Sequence, residues 1–179
     1  MDFQIDGIRL ELIQGDIAAQ NDVEAVVNAA NAQLRTGGGV AGAVHRAAGP
    51  ELEKACRDLA PIKPGEAVIT KAFNLPNQYV IHTLGPVYGR DKPEAALLEK
   101  CYQNSLKLAE EYRIKKIAFP AISTGAFGYP IKEAAEISLL AVNKLASDLE
   151  SVEKIRFVLY SSSDLQVYRN QAQKIFNNR

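Results

Sequence analysis

Two short stretches carry the residue types that could do chemistry. Asn28-Ala29-Ala30-Asn31 runs into Gly37-Gly38-Gly39-Val40-Ala41-Gly42, and a second glycine-bearing loop, Ser123-Thr124-Gly125-Ala126-Phe127-Gly128-Tyr129-Pro130, follows about eighty-five residues later. Each comes after an apolar run of strand length and before a segment with helical periodicity. Each is therefore expected to present backbone N–H groups at a helix N-terminus, where an anion binds without cationic side chains. Two such loops, with amides beside the first, predict a cleft that holds a diphosphate between them and a sugar at one end. Asn31 is the residue best suited to chemistry there. A primary amide donates and accepts without titrating, which fits gripping ribose hydroxyls and orienting a water near an anomeric carbon. Asn28 is expected instead to tie the loop to neighbouring backbone.

Competing chemistries fail on context. Gly37, Gly39 and Gly42 satisfy G-x-G-x-x-G. The dinucleotide fingerprint, however, needs those glycines directly after the first strand and an acidic residue ending a second strand about twenty residues on. Here nine residues separate Val27 from Gly37, and Glu51, Glu53 and Asp58 lie in helical territory. No Gly-Lys-Ser/Thr follows, so a Walker loop is excluded. Ser123 lies in Ala121-Ile122-Ser123-Thr124-Gly125, which lacks the G-x-S-x-G of a nucleophile elbow. Glycosidases of the ordinary kind set two carboxylates about 5–9 Å apart across the bond, and no such pair stands near either loop. Cys56 and Cys101 read as buried free thiols, not metal ligands. His45, in the helix after the first glycine loop, reads as partly exposed, and His82, inside an apolar strand, as a hydrogen-bonded core residue.

The elements that must position these loops follow from periodicity. Residues 1–14 alternate apolar and polar around Asp6-Gly7, which predicts a hairpin. Ala25 to Val27, Val68-Ile69, Tyr79 to Leu84, Ile117 to Ile122 and Ile155 to Tyr160 read as buried strands. Helices are expected over Val40 to Ala48, Pro50 to Leu59, Pro93 to Tyr112, Ile131 to Leu149 and Asp164 to Phe176. Pro93 and Pro130 start two of them, and Ser163 or Asp164 caps the last. Strand and helix alternate, so the class is α/β with a sheet covered on both faces. With 179 residues and 47% hydrophobic content the chain fits one domain, 1–179. Lys+Arg and Asp+Glu are equal at 21 each, and no long block of like charge exists, so neither nucleic acid nor an anionic membrane is favoured as a partner. No signal peptide and no run long enough to span a bilayer is evident, which predicts a cytoplasmic protein, most simply a monomer.

Asp16, Asn28-Ala29-Ala30-Asn31, Gly37 to Val44, His82-Thr83-Leu84-Gly85-Pro86 and Ala118 to Gly125 occur in an order and spacing that resemble the macrodomain family of ADP-ribose-binding modules. The likeness runs from about Gln14 to the C-terminus and is nearest to bacterial or archaeal members of the MacroD type. It implies a three-layer α/β/α sandwich with a mixed, about six-stranded sheet. It implies binding of ADP-ribose, alone or on a modified protein, with no cofactor and no metal. Two activities are implied as well: hydrolysis of mono-ADP-ribose from acidic side chains and deacetylation of O-acetyl-ADP-ribose. The alternative is a reader that binds without turnover.

The resemblance also assigns residues. Asp16 would accept a hydrogen bond from the adenine amino group and the Ile17 N–H would serve the ring, although Asp16 also stands where an N-cap belongs. Tyr160 would lay its ring against adenine. Gly38, Gly39, Val40 and Ala41 would line the distal phosphate and ribose. Ser123, Thr124, Gly125, Ala126 and Phe127 would wrap the pyrophosphate from the other side, Phe127 shielding the distal ribose. Asn31 would be the catalytic residue. Many MacroD-type hydrolases carry an aspartate where this chain has Ala41. Members with alanine there still remove ADP-ribose, which fits a mechanism in which a substrate phosphate oxygen activates the water.

Overall fold

The computed structural model describes residues 2–177. Seven strands, β1 (Asp2–Ile5), β2 (Ile8–Gln14), β3 (Ala25–Ala29), β4 (Ala67–Lys71), β5 (Tyr79–Thr83), β6 (Lys116–Phe119) and β7 (Lys154–Leu159), form one sheet in the order β1-β2-β7-β6-β3-β5-β4. The inner five run parallel, and β1 and β4 pair antiparallel at the two edges. Seven strands match the hairpin and five further runs read from periodicity, one more than the about six that the resemblance implies. The Asp6-Gly7 turn, with φ of 47° and 87°, folds β1 back onto β2 so that Phe3 and Ile5 reach the core.

Five helices cover the sheet: α1 (Gly39–Ala48), α2 (Pro50–Cys56), α3 (Glu94–Glu111), α4 (Ile131–Leu145) and α5 (Ser162–Phe176). Leu98, Tyr102 and Leu106 of α3, Leu139 of α4 and Tyr168 of α5 join Phe119 and Phe157 in a core on one face. Val44 and Ala48 of α1 and Leu52 of α2 close a smaller core with Val26, Val80 and Val158 on the other. The result is the expected α/β/α sandwich.

Several boundaries differ from the sequence reading for local reasons. β6 ends at Phe119, because Pro120 has no N–H for the ladder and the chain leaves the sheet there. α4 tightens into a 3₁₀ turn at Ala146–Asp148. The cap of α5 is Ser161, not Ser163 or Asp164: its Oγ accepts from the Asp164 N–H at 3.1 Å. Pro93 and Pro130 stand at the N-cap positions, one residue ahead of α3 and α4.

The connectivity locates the place for a ligand. From β3 the chain passes through α1 on one face and on to β4 and β5, whereas from β6 it passes through α4 on the opposite face to β7. β3 and β6 are neighbours, so the loops after their C-terminal ends part to opposite faces and leave a crevice between them, the topological switch point of an open α/β sheet. Among the described residues no helix is long and apolar enough to cross a membrane.

Candidate functional site

The two glycine loops meet. A cavity of about 280 Å³ at the switch point is lined by Ala29, Ala30 and Asn31 after β3, by Gly37 to Ala41 at the start of α1, by Gly85 after β5, and by Ala121, Ile122, Ser123, Gly125, Ala126 and Phe127 after β6. No Asp, Glu, Lys or Arg is among these residues, so an anion there is met by main-chain dipoles. The first loop delivers them as expected, with Gly38 as N-cap of the ten-residue α1. The second loop does so differently. α4 begins only at Ile131, and Ser123 to Gly128 instead form their own turn, closed by Gly128 N–H to the Gly125 carbonyl at 3.0 Å and Tyr129 N–H to the Ser123 carbonyl at 2.9 Å. Its N–H groups come from a turn, not from a helix terminus.

At two glycines, Gly42 and Gly85, the backbone is packed too closely for a side chain. A Cβ on Gly42 would lie 2.3 Å from the Gly37 carbonyl oxygen, and one on Gly85 would lie 2.0 Å from the Ser123 Oγ. Ser123 itself has φ of 66°, a left-handed conformation that is uncommon for a residue with a side chain, and its buried Oγ has no partner. Thr124 does not line the cavity. Its hydroxyl donates to the Ala121 carbonyl at 2.8 Å and so serves the turn. Phe127 lines the cavity and also packs, half-buried, on the smaller core.

Asn31 lines the cavity and is also pinned. Its Nδ2 donates to the Arg35 carbonyl at 2.7 Å and its Oδ1 accepts from the Arg35 N–H at 3.0 Å, a closed ring that fixes the loop. The amide keeps one N–H and one lone pair for a ligand. Asn28 is fully buried and bonds His82 Nδ1 at 3.1 Å, while His82 Nε2 lies 2.9 Å from Thr70 Oγ1. Asn28 thus bonds a neighbouring strand's side chain and not the loop backbone, and the loop-tying role expected of it falls on Asn31 instead.

His45 is not partly exposed but 5% exposed, on the inner side of α1, with its Nε2 unpartnered. Burial lowers its pKa, against the opposing pull of Glu53. Burial, reinforced by His45, holds His82 down at about 3, so it is neutral at ordinary pH. Cys56 and Cys101 are buried free thiols whose pKa burial raises to about 11. Among the described residues no three of His, Cys, Asp and Glu are grouped so as to hold a metal.

Asp16, Ile17 and Tyr160 stand apart from the cavity, above the C-terminal ends of β2 and β7. Those strands end together, with Gln14 opposite Leu159 and the Gly15 N–H bonded to the Leu159 carbonyl at 3.0 Å. All five parallel strands finish on the same side, so this second group lies on the same edge as the cavity, two strand spacings or about 10 Å along it at roughly 4.8 Å per strand. Asp16 does cap the following 3₁₀ turn, its Oδ1 accepting from the Ala18 N–H at 2.8 Å, yet the carboxylate is exposed. Tyr160 is 89% exposed and hence not a core residue.

Sequence reasoning missed two features. Gly85 closes the back of the cavity, and its signal was a glycine directly after a buried strand. Arg156 and Glu11 form a buried ion pair, which strand alternation does not reveal because it appears only when β2 and β7 are set side by side.

Known proteins share this arrangement. The sequence profile of the macro domain matches residues 27–138. A macro domain-containing protein of Chlorobaculum tepidum is 50% identical over 165 residues, covering 92% of this chain and 95% of the relative. An O-acetyl-ADP-ribose deacetylase of Salmonella newport is 48% identical, covering 89% of this chain and 92% of that protein. Among solved structures, a variant of the Oceanobacillus iheyensis macrodomain with ADPR superposes with a TM-score of 0.94 at 37% identity, covering 99% of this chain and 98% of that one.

Proposed function

This chain belongs to the macro domain family, and on that premise we propose that it binds ADP-ribose along the C-terminal edge of its sheet and hydrolyses the ester formed at the distal ribose. The observation that carries the reading is the shared, uncharged cavity between the Gly37 to Ala41 and Ser123 to Phe127 loops, with Asn31 on its wall. The pyrophosphate lies between the loops, satisfied by their N–H groups. The distal ribose reaches Asn31, and adenine extends toward Asp16, Ile17 and Tyr160. The substrates are mono-ADP-ribose on an acidic side chain and O-acetyl-ADP-ribose, the latter supported by the name of the Salmonella relative.

The chemistry must proceed without a carboxylate pair. The remaining N–H and lone pair of Asn31 grip a ribose hydroxyl and a water, and a phosphate oxygen of the substrate takes the water's proton. For the acidic side chain, the water oxygen bonds to the anomeric carbon as the carboxylate departs with the bonding electrons. Positioning and N–H dipoles, not a titrating group, lower the barrier.

A second reading, binding without turnover, draws on the absence of any acid from the cavity lining and on the engagement of Asn31 by Arg35. Calorimetry with ADP-ribose and a release assay on a glutamate-linked ADP-ribosyl protein decide between the two. Hydrolysis is expected, and Asn31→Ala should reduce it at least tenfold. Binding with no release supports the reader, and no binding removes both.

A further inference from the structure

The turn Gly15-Asp16-Ile17 is held locally by the Gly15 N–H on the Leu159 carbonyl, the Ala19 N–H on the Asp16 carbonyl at 3.1 Å and the buried Ile17 side chain. It leads into a three-residue 3₁₀ segment, Ile17–Ala19, and the exposed Asp16 carboxylate is its cap. A further hold, on the same Asp16 carbonyl, comes from beneath. Gln20, 7% exposed, folds its side chain back so that Nε2 donates to the Asp16 carbonyl at 2.8 Å while Oε1 accepts from Arg156 Nη1 at 2.9 Å. The orientation of this amide is forced, because a guanidinium only donates and a carbonyl only accepts.

Arg156 cannot move to follow the turn. Its Nε donates to Glu11 Oε2 at 2.7 Å, and Nη1 and Nη2 grip both oxygens of Asp22 at 2.6 and 2.8 Å. Arg156 and Glu11 are register partners across β7 and β2, so the ion pair belongs to the sheet itself. The Gln20 main chain is fixed too, its carbonyl accepting from Asn77 Nδ2 at 2.7 Å. An unbroken chain of short hydrogen bonds thus leads from the sheet interior through Arg156 and Gln20 to the peptide that carries the Asp16 carboxylate and the Ile17 N–H.

With adenine placed as proposed above, those two groups face the base: one accepts, the next residue donates, at a spacing the turn sets. We propose that Gln20 is a positioning residue for base selection, holding the Asp16-Ile17 turn in the geometry that accepts adenine's amino group and ring nitrogen together. The inference rests on the placement of adenine given above. It makes selectivity a property of the turn's anchor as well as of the groups that touch the base. Hypoxanthine, which carries a carbonyl where adenine carries the amino group, sets an acceptor against the Asp16 carboxylate and is rejected only while the turn is held.

Gln20→Glu isolates the anchor. A glutamate keeps an acceptor for Arg156 but sets a carboxylate oxygen against the Asp16 carbonyl where the donor had been. Calorimetry with ADP-ribose and with its inosine analogue, together with thermal melts, reads the result. Wild type should prefer ADP-ribose, and Gln20→Glu should cut that preference about five- to tenfold, the factor set by one lost hydrogen bond, with the melting temperature held by the Arg156 contact. Gln20→Met, similar in length and uncharged, should cut it similarly and covers the case in which the glutamate variant does not fold. An unchanged preference in the folded variants overturns the proposal, as does a proportional weakening of both ligands alongside a fall in melting temperature. A wild-type protein that binds both ligands equally overturns the adenine placement itself, which is a distinct result.

Discussion

Two regions on this sheet handle charge in opposite ways. At the β3/β6 switch point the molecule builds a cavity for an anion from neutral residues and spends only main-chain dipoles on it. Beneath the β2 and β7 ends it buries two full charges, Arg156 and Glu11, and pairs them, with the part-exposed Lys154 and the exposed Asp22 closing the set. The difference follows from what each must hold. A ligand that enters and leaves cannot be matched by an unpaired buried cation, which would lose its hydration whenever the site is empty. Charges that never separate can be buried, since each compensates the other. The cavity walls are therefore set by close packing at Gly42 and Gly85, and the Asp16 turn is anchored on an ion-pair network.

The contrast is tested most strongly at its charged pole. Arg156→Leu takes from the buried Glu11 its shortest ion pair and leaves Lys154 and Arg9, each at 3.2 Å, to face it, and breaking a buried pair destabilises by up to about 3–5 kcal/mol. For a chain of this size that lowers the melting temperature by about 6–20 °C. A melt within 2 °C of wild type would show the cluster to be ornamental. Gly85→Ala tests the neutral pole. The new methyl must displace Ser123 or Ile122, and overpacking of this kind destabilises by about 1–3 kcal/mol. ADP-ribose affinity should fall along with stability, because the displaced residues line the cavity. Full affinity in a stable Gly85→Ala protein would mean that the second loop is not held from behind.

Acid separates the two regions as well. His82, below the cavity, has a folded pKa depressed to about 3 from 6.5. The unfolded chain therefore takes up a proton that the folded one refuses, and stability falls as pH drops below about 6.5, with a slope approaching 1.4 kcal/mol per pH unit. Asp22 is depressed from 3.8 to about 2, first by its hydrogen bonds to Arg156. Its contribution is present above pH 3.8 and is lost as pH falls toward 2. His82→Gln should flatten the stability profile between pH 6 and 4, and Asp22→Asn only below that. Urea melts across pH 2 to 7 check both, and an Asp22→Asn destabilisation at pH 2 as large as that at pH 6 would break the assignment.

Most of the frame was legible in the sequence because it is local. Strand runs, helix periodicity and the Asp6-Gly7 turn are written within a few residues of one another, and the two glycine loops announced the cavity before its walls could be seen. What was illegible depends on neighbours distant in sequence. Arg156 reads as one more polar residue in an alternating strand until β2 supplies Glu11. His45 reads as half-exposed until β5 places His82 near it, ring centres 6.4 Å apart. The Asn31 ring with Arg35 escaped notice for another reason: an asparagine bonding four residues ahead looks the same in sequence as one that does not. Thr124 was grouped with its neighbours by position, although its hydroxyl turns inward.

The smallest effect concerns a single atom. The Ser123 hydroxyl is buried in the cavity wall without a partner, on a residue held at positive φ. No protein group satisfies that oxygen, so Ser123→Ala removes an unpaired polar group and should leave stability unchanged or raise it by up to about 1 kcal/mol. If the hydroxyl is kept for the ligand, the same variant should weaken ADP-ribose binding by about two- to tenfold, the worth of one hydrogen bond. Stability and affinity would then move in opposite directions, which a packing role cannot produce, since loss of packing lowers both. Paired urea melts and calorimetric titrations on Ser123→Ala read the two together. A variant that is less stable and binds as well as wild type would assign the hydroxyl to the fold, and the neutral cavity would then rest on its main chain alone.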